Sequence, residues 1–147
     1  MTTSWVVVAH RSGARFFEHK GPGKPLMLVE SIDHPAGRFQ DRDVNTDRPG
    51  RSGEGGGAQH AMQPHETAHE HLARVFAKTI AQRLTVGRQR HAFERLVLVA
   101  EPHFLGYLEK ELDEPTHALV TDRVHEDLAN VADREVAGHL DGVLPTG

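Results

Sequence analysis

The sequence has no cysteine. Disulfides, thiol catalysis and cysteine-ligated zinc or iron–sulfur centres are therefore excluded. Aromatic residues make up only 5% of the chain, with a single Trp and a single Tyr, so platforms for stacking bases are scarce. Positive charge is not in excess. The formal net charge is −4, which argues against coating nucleic acid by charge alone. Long apolar runs are also missing. The longest early one, Trp5 to Ala9, falls far short of the roughly 20 residues of a membrane span and of a signal-peptide core. No membrane insertion is expected, and the cytoplasm is the expected compartment.

What is present is one domain's worth of chain. Its 147 residues are enough to bury a core without covalent staples. The hydrophobic fraction of 37% is low and the charged fraction of 26% ordinary, as for a globular chain carrying one polar stretch. Twelve histidines stand against 17 Lys and Arg.

Trp5-Val6-Val7-Val8-Ala9-His10 is β-branched and ends at a turn, Arg11-Ser12-Gly13. It reads as a buried strand, and Ala14 to His19 as the returning strand of a hairpin. Gly21-Pro22-Gly23 is a second turn and Leu26 to Ile32 a third strand. Residues 33–63 differ. Phe39, Val44 and Met62 are their only large apolar residues, and the run from Gly50 to His60 can hold no core. Loops longer than about 12–15 residues are usually functional or disordered.

From Pro64 the period becomes helical. Leu72, Val75, Phe76, Thr79, Ile80 and Leu84 recur at helical spacing, with Gly87 as the expected stop. Leu96 to Ala100 is an unbroken apolar strand of the kind found in the middle of a covered sheet. Pro102 opens a second helix, His117 to Thr121 reads as a fifth strand, and a last helix is expected from about Ala132 to Leu144. Each late strand follows a helix, so right-handed crossovers should make both parallel to the first. The expected fold is α/β. It has a five-stranded mixed sheet of order 3-2-1-4-5, three helices, and a long Gly-rich loop between strand 3 and helix 1. That is the ribonuclease-H-like arrangement, in a single domain over residues 1–147.

Nucleases of this arrangement hold two metal ions on carboxylates. One of those acids belongs on the first strand, and Trp5 to His10 contains none. Glu101 and Asp122 follow strands four and five, where helix-start and turn chemistry accounts for them. His65-Glu66-Thr67-Ala68-His69 matches H-E-x-x-H, which on a helix places both imidazoles on one face beside a general base. Pro64 puts it in a helix's first turn, however, whereas zinc proteases carry it on a buried helix. No third ligand stands at an expected spacing. Zinc at His60, His65, His69 and His71 remains a candidate, as does metal-dependent hydrolysis at His65 and His69. No other cofactor is indicated.

Phe93 to Leu108 runs as a strand, an Ala-x-Pro turn and a helix opening Phe-Leu-Gly. This segment resembles the hallmark of the bacterial host-attachment protein family. The first hairpin, Trp5 to Glu18, and the tail, Glu126-Asp127-Leu128 through Asp133-Arg134-Glu135-Val136 to His139-Leu140, are similar to the same family. The resemblance spans nearly the whole chain outside the 33–63 loop. It implies a role connected with bacterial attachment to host cells.

The family is in turn distantly similar to the middle domain of the archaeal and eukaryotic translation release factor. There, a Gly-Gly-Gln loop between strand three and the first long helix positions a water against the peptidyl-tRNA ester. This chain has Gly55-Gly56-Gly57-Ala58-Gln59 in that connection, with Ala58 intervening before Gln59. The resemblance makes Gln59 a candidate catalytic residue and the ribosome or tRNA a candidate partner. The same stretch offers Arg38, Arg42, Arg48 and Arg51 as phosphate contacts beside Gly55, Gly56, Gly57 and Gln59, although Asp41, Asp43, Asp47 and Glu54 nearly cancel their charge. The leading expectation is a non-catalytic binding or accessory protein that acts through this loop on a macromolecule the sequence does not name. The release-factor-like reading and the metal-hydrolase reading stand as alternatives.

Overall fold

A computed structural model of the chain describes residues 2–35 and 67–144. In chain order the elements are β1 (Ser4–His10), β2 (Gly13–His19), β3 (Leu26–Asp33), α1 (Ala68–Gln89), β4 (Arg95–Val99), α2 (Pro102–Glu111), α3 (Glu114–His117), β5 (Val120–Val124) and α4 (Asp133–Val136), which runs into a 3-10 turn at Ala137–His139. The strands form one mixed sheet of order β3-β2-β1-β4-β5, the order expected from the sequence. β1 pairs antiparallel with β2 and parallel with β4, and β5 extends the parallel half.

β1 sits at the centre because it has two faces to bury. Trp5, Val7 and Ala9 join Phe16, Leu96 and Leu98 under α1 and α2. Val6 and Val8 point the other way and join Phe17, Val97, Val99, Leu128, Val136 and Leu140. Such a strand cannot show alternation of polar and apolar residues, and its sequence shows none. Burying side chains of this size contributes about 1.5–3 kcal/mol each. Among the described residues, no helix is long and apolar enough to cross a membrane.

Tertiary packing overrides the local reading in several places. α1 does not stop at Gly87 but continues to Gln89. A Cβ at Gly87 would meet the Trp5 and Phe93 rings at 3.1 Å, so the glycine marks a close approach rather than an end. The chain leaves α1 through His91, a non-glycine residue at φ 59°. Val75, which the period places inward, is exposed. The start of α1 is set by Thr67, whose side chain accepts from the Glu70 amide while the Glu70 carboxylate accepts from the Thr67 amide. Pro64 lies outside the described residues.

The fifth strand begins three residues late, because Asp113 caps a one-turn helix, α3, by accepting from the Thr116 amide. Asp122 therefore lies within β5 and not beyond it. The expected last helix shrinks to α4 and its 3-10 turn. Gly142, at φ 79°, cannot continue a right-handed helix.

Candidate functional site

The carboxyl ends of parallel strands are where open α/β sheets place ligands. A cleft of about 910 Å³ lies at that end of the sheet. β1 contributes His10 to it, and the β1–β2 turn Arg11 and Ser12. The end of β3 adds Ser31 to Asp33, the start of α2 adds Glu101, His103 and Phe104, and the connector after β5 adds Asp127, Ala129 and Asn130.

The turn is tightly built. The Ser12 amide donates to His10 Nδ1 at 3.2 Å, and Ser12 Oγ lies 3.4 Å from the same atom. An Nδ1 that accepts leaves Nε2 to carry the proton of the neutral ring. His34, just past β3, anchors this turn. Its amide donates to the Ser12 carbonyl at 2.8 Å, its Nδ1 donates to the Arg11 carbonyl at 2.8 Å, and its ring stacks on Phe76 of α1 at 4.3 Å.

Three of the charged groups at the cleft are already engaged. Glu101 caps α2 with both carboxylate oxygens, accepting from the His103 amide at 3.1 Å and the Phe104 amide at 2.8 Å. A helix start is a ready anion site, and here the chain's own carboxylate fills it. Arg15 of β2 reaches behind the connector. It donates to the Leu128 carbonyl at 2.6 Å, the Val131 carbonyl at 2.8 Å and Asp133 Oδ1 at 2.8 Å, and it lies over the Phe17 ring. Asp127 shapes the same wall by accepting from the Ala129 amide at 3.0 Å. By contrast, the side chains of Arg11, His103 and Asn130 make no hydrogen bond or ion pair among the described residues. All three side chains can donate to a ligand in the cleft.

A second polar network ties α2 to β5, away from the cleft. Glu109 accepts from Arg123 Nε at 2.8 Å and pairs with His117 Nε2 at 3.1 Å. The Arg123 hydrogen bond is the main reason the Glu109 carboxyl titrates below its ordinary range; burial opposes it, and His117 adds to the lowering. The same bond raises Arg123. Asp113 is also lowered, first by its bond to Thr116.

Most residues singled out from the sequence lie outside the described residues. Arg38, Arg42, Arg48, Arg51, Gly55, Gly56, Gly57, Gln59, His60 and His65 are all in that group. His69 and His71 are described, in the first turns of α1, and Arg74 lies 3.3 Å from His71 Nδ1. Among the described residues, no group of three or more His, Asp or Glu side chains is placed to hold a metal ion. Glu101 does serve at a helix start, as its position beside Pro102 implied. The cleft residues Arg11, Arg15, His103 and Asn130 were missed. The signal available for the first two was the turn that closes the first strand of a parallel pair.

Among curated proteins, none matches the chain. Among solved structures, an archaeal protein matches with a TM-score of 0.45 at 9% identity, over 91% of this chain and 34% of that one. The present chain thus spans about a third of that structure's length. A family described as "Protein required for attachment to host cells" matches residues 5–140, which takes in nearly all of the sheet and the whole of the cleft wall, and the chain belongs to this family.

Proposed function

We propose that the protein is a non-catalytic binding or accessory member of the host-attachment family and that the cleft is its recognition surface. The observation that carries this reading is the state of the charged groups there. Glu101 is bound to the start of α2 and Arg15 to the connector, so both build the walls. Arg11, His103 and Asn130 are left to face a ligand, and all three side chains can donate hydrogen bonds. They suit a partner rich in carbonyl, carboxylate or hydroxyl oxygens. We read the sheet as ribonuclease-H-like, used here as a scaffold, because fold alone does not dictate chemistry.

The test is bacterial attachment to host cells by a strain lacking the gene. Complementation with the wild-type chain restores attachment. Asn130→Trp fills the cleft from an exposed connector; given a fold of unchanged stability, it leaves attachment at the level of the deletion strain. Full restoration by Asn130→Trp overturns the assignment of the cleft.

A second reading is a ribosome- or tRNA-associated protein that uses Gly55-Gly56-Gly57-Ala58-Gln59. The resemblance supports it, and so does the anchoring of His34 on the β1–β2 turn that lines the cleft, ahead of the segment that carries this motif. It expects co-sedimentation with ribosomes that is lost on deleting residues 50–60, and peptidyl-tRNA hydrolysis that falls in Gln59→Ala. A chain that never enters the ribosomal pellet removes it.

A further inference from the structure

One hydrogen bond at the cleft can exist only while an imidazole is neutral. His10 ends β1 and lies opposite Gly13 in the hairpin register. Its ring sits close against that residue, since a Cβ at Gly13 would stand 3.4 Å from both Cε1 and Nε2. Nδ1 accepts from the Ser12 amide at 3.2 Å. An Asn or Asp side chain does the same in an Asx turn, taking the amide two residues on. A carboxamide oxygen stays an acceptor at every working pH. An imidazole nitrogen does not, because once protonated it donates. A proton enters a neutral ring only at the nitrogen that lacks one, and with Nε2 already carrying hydrogen that nitrogen is Nδ1. Charging His10 therefore leaves Nδ1 and the Ser12 amide as two donors facing each other. The Ser12 hydroxyl, 3.4 Å from Nδ1, can reverse and accept from the new N–H. The amide has no such freedom.

The second imidazole on the turn behaves differently. His34 Nδ1 donates to the Arg11 carbonyl, and the His34 amide donates to the Ser12 carbonyl, both at 2.8 Å. A charged ring makes the first bond as well as a neutral one, and it keeps its stacking on Phe76, whose π-face attracts a cation. Of the two histidines, only His10 loses a bond by gaining a proton. Among the described residues, the other charged or titratable groups at the cleft are Arg11 on the turn, Arg15 on β2, Asp33 ending β3, Glu101 and His103 at the start of α2, and Asp127 in the connector. The three carboxylates favour a charged His10 and the two arginines oppose it. They set the pH at which the ring titrates, not the atom that takes the proton. We infer that His10 is a proton-operated latch on the β1–β2 turn: neutral, it holds Ser12 and the neighbouring Arg11 in the cleft wall, and charged, it releases the Ser12 amide and loosens the stretch that carries Arg11. That the latch regulates recognition rests on the function proposed above; its existence does not.

Nuclear magnetic resonance on the purified wild-type chain between about pH 8 and about pH 5 spans the ordinary range of an imidazole. At the upper end, the ring-nitrogen shifts of His10 are expected to show Nδ1 without a proton. As the ring charges, the Ser12 amide resonance is expected to follow the same titration curve. Its protection from hydrogen exchange, corrected for the intrinsic effect of pH, is expected to fall about three- to tenfold. Titration of His34 leaves that amide in place. His10→Asn restores the acceptor as an ordinary Asx turn, so Ser12 stays protected over the whole range, whereas His10→Ala leaves it unprotected over the whole range. In the attachment assay, the ratio of attachment at about pH 7.5 to that at about pH 5.5 is expected to be larger for the wild-type strain than for one carrying His10→Asn. A proton on Nδ1 of the neutral ring at about pH 8 overturns the inference, whatever the variants do. So does a Ser12 amide that ignores the titration of His10, or one that still loses protection in His10→Asn. Equal attachment ratios sever the latch from recognition. A working latch in a chain whose Asn130→Trp variant attaches fully upholds the latch and removes the assignment of the cleft.

Discussion

Arg15 and Asp133 lie 118 residues apart in the chain and meet at 2.8 Å. The same guanidinium holds the carbonyls of Leu128 and Val131. One side chain on β2 therefore fixes the path of the connector that forms a wall of the cleft and covers the second face of the sheet. Arg15→Met is expected to destabilise the protein by about 2–3 kcal/mol, since it leaves two part-buried carbonyls without their donor. Asp133→Asn costs less than about 1 kcal/mol, because that carboxylate is 50% exposed. Urea unfolding measures both. Hydrogen exchange of residues 128–133 separates local release of the connector from global loss.

Glu101→Ala removes the cap from α2 and is expected to cost about 1–2 kcal/mol. It also uncovers the amides of His103 and Phe104 at the cleft. Inorganic phosphate should then raise the melting temperature of the variant relative to chloride at matched ionic strength, and leave the wild type unchanged. Equal responses of the two proteins would show that the carboxylate does not guard this helix start.

At Gly87 two effects oppose one another. Alanine favours a helix over glycine by about 1 kcal/mol, yet its Cβ would press on Trp5 and Phe93 at 3.1 Å. Gly87→Ala is expected to fall within about 1 kcal/mol of the wild type. Gly87→Leu has no room and is expected to cost about 3 kcal/mol. The pair of unfolding midpoints tests whether close packing, rather than helix termination, is why glycine stands there.

The pH dependence follows from Glu109. Its carboxyl is held below the ordinary 4.5, first by Arg123. A group lowered in the folded state contributes stability that is complete above its unfolded value and is lost as pH falls through the folded one. Stability should therefore decline below about pH 4.5, and Glu109→Gln should flatten that part of the profile. The pair is partly solvated, so the difference is at most about 1 kcal/mol. Urea midpoints between about pH 6 and pH 3 read it directly.

The sheet was legible where burial on both faces writes itself as an apolar run, as in Trp5 to Ala9 and Leu96 to Val99. Short polar segments were not. Asp113-Glu114-Pro115-Thr116 reads as a connection, but a single aspartate cap turns it into α3 and displaces β5. Gly87 looked like punctuation because the ring it accommodates, Trp5, lies 82 positions earlier in the sequence. The cleft was harder still. Arg11, His103 and Asn130 come from three separate connections, and no local pattern joins them. The glycines and arginines of the long polar stretch stand out by composition, whereas the residues of the cleft are individually ordinary.

The pairing of β1 with β4 has a bearing on how the chain reaches its native state. The amide of Thr3 donates to Glu94, 91 residues downstream, so the central contact closes a very large loop, whereas β1 to β3 zip together locally. Closure entropy grows only with the logarithm of loop length. Lengthening or trimming the 36–66 segment by twenty residues would change that barrier by merely about 0.2 kcal/mol. Evolution can therefore vary this insertion widely at almost no kinetic penalty, while the strands on either side stay under strict steric constraint.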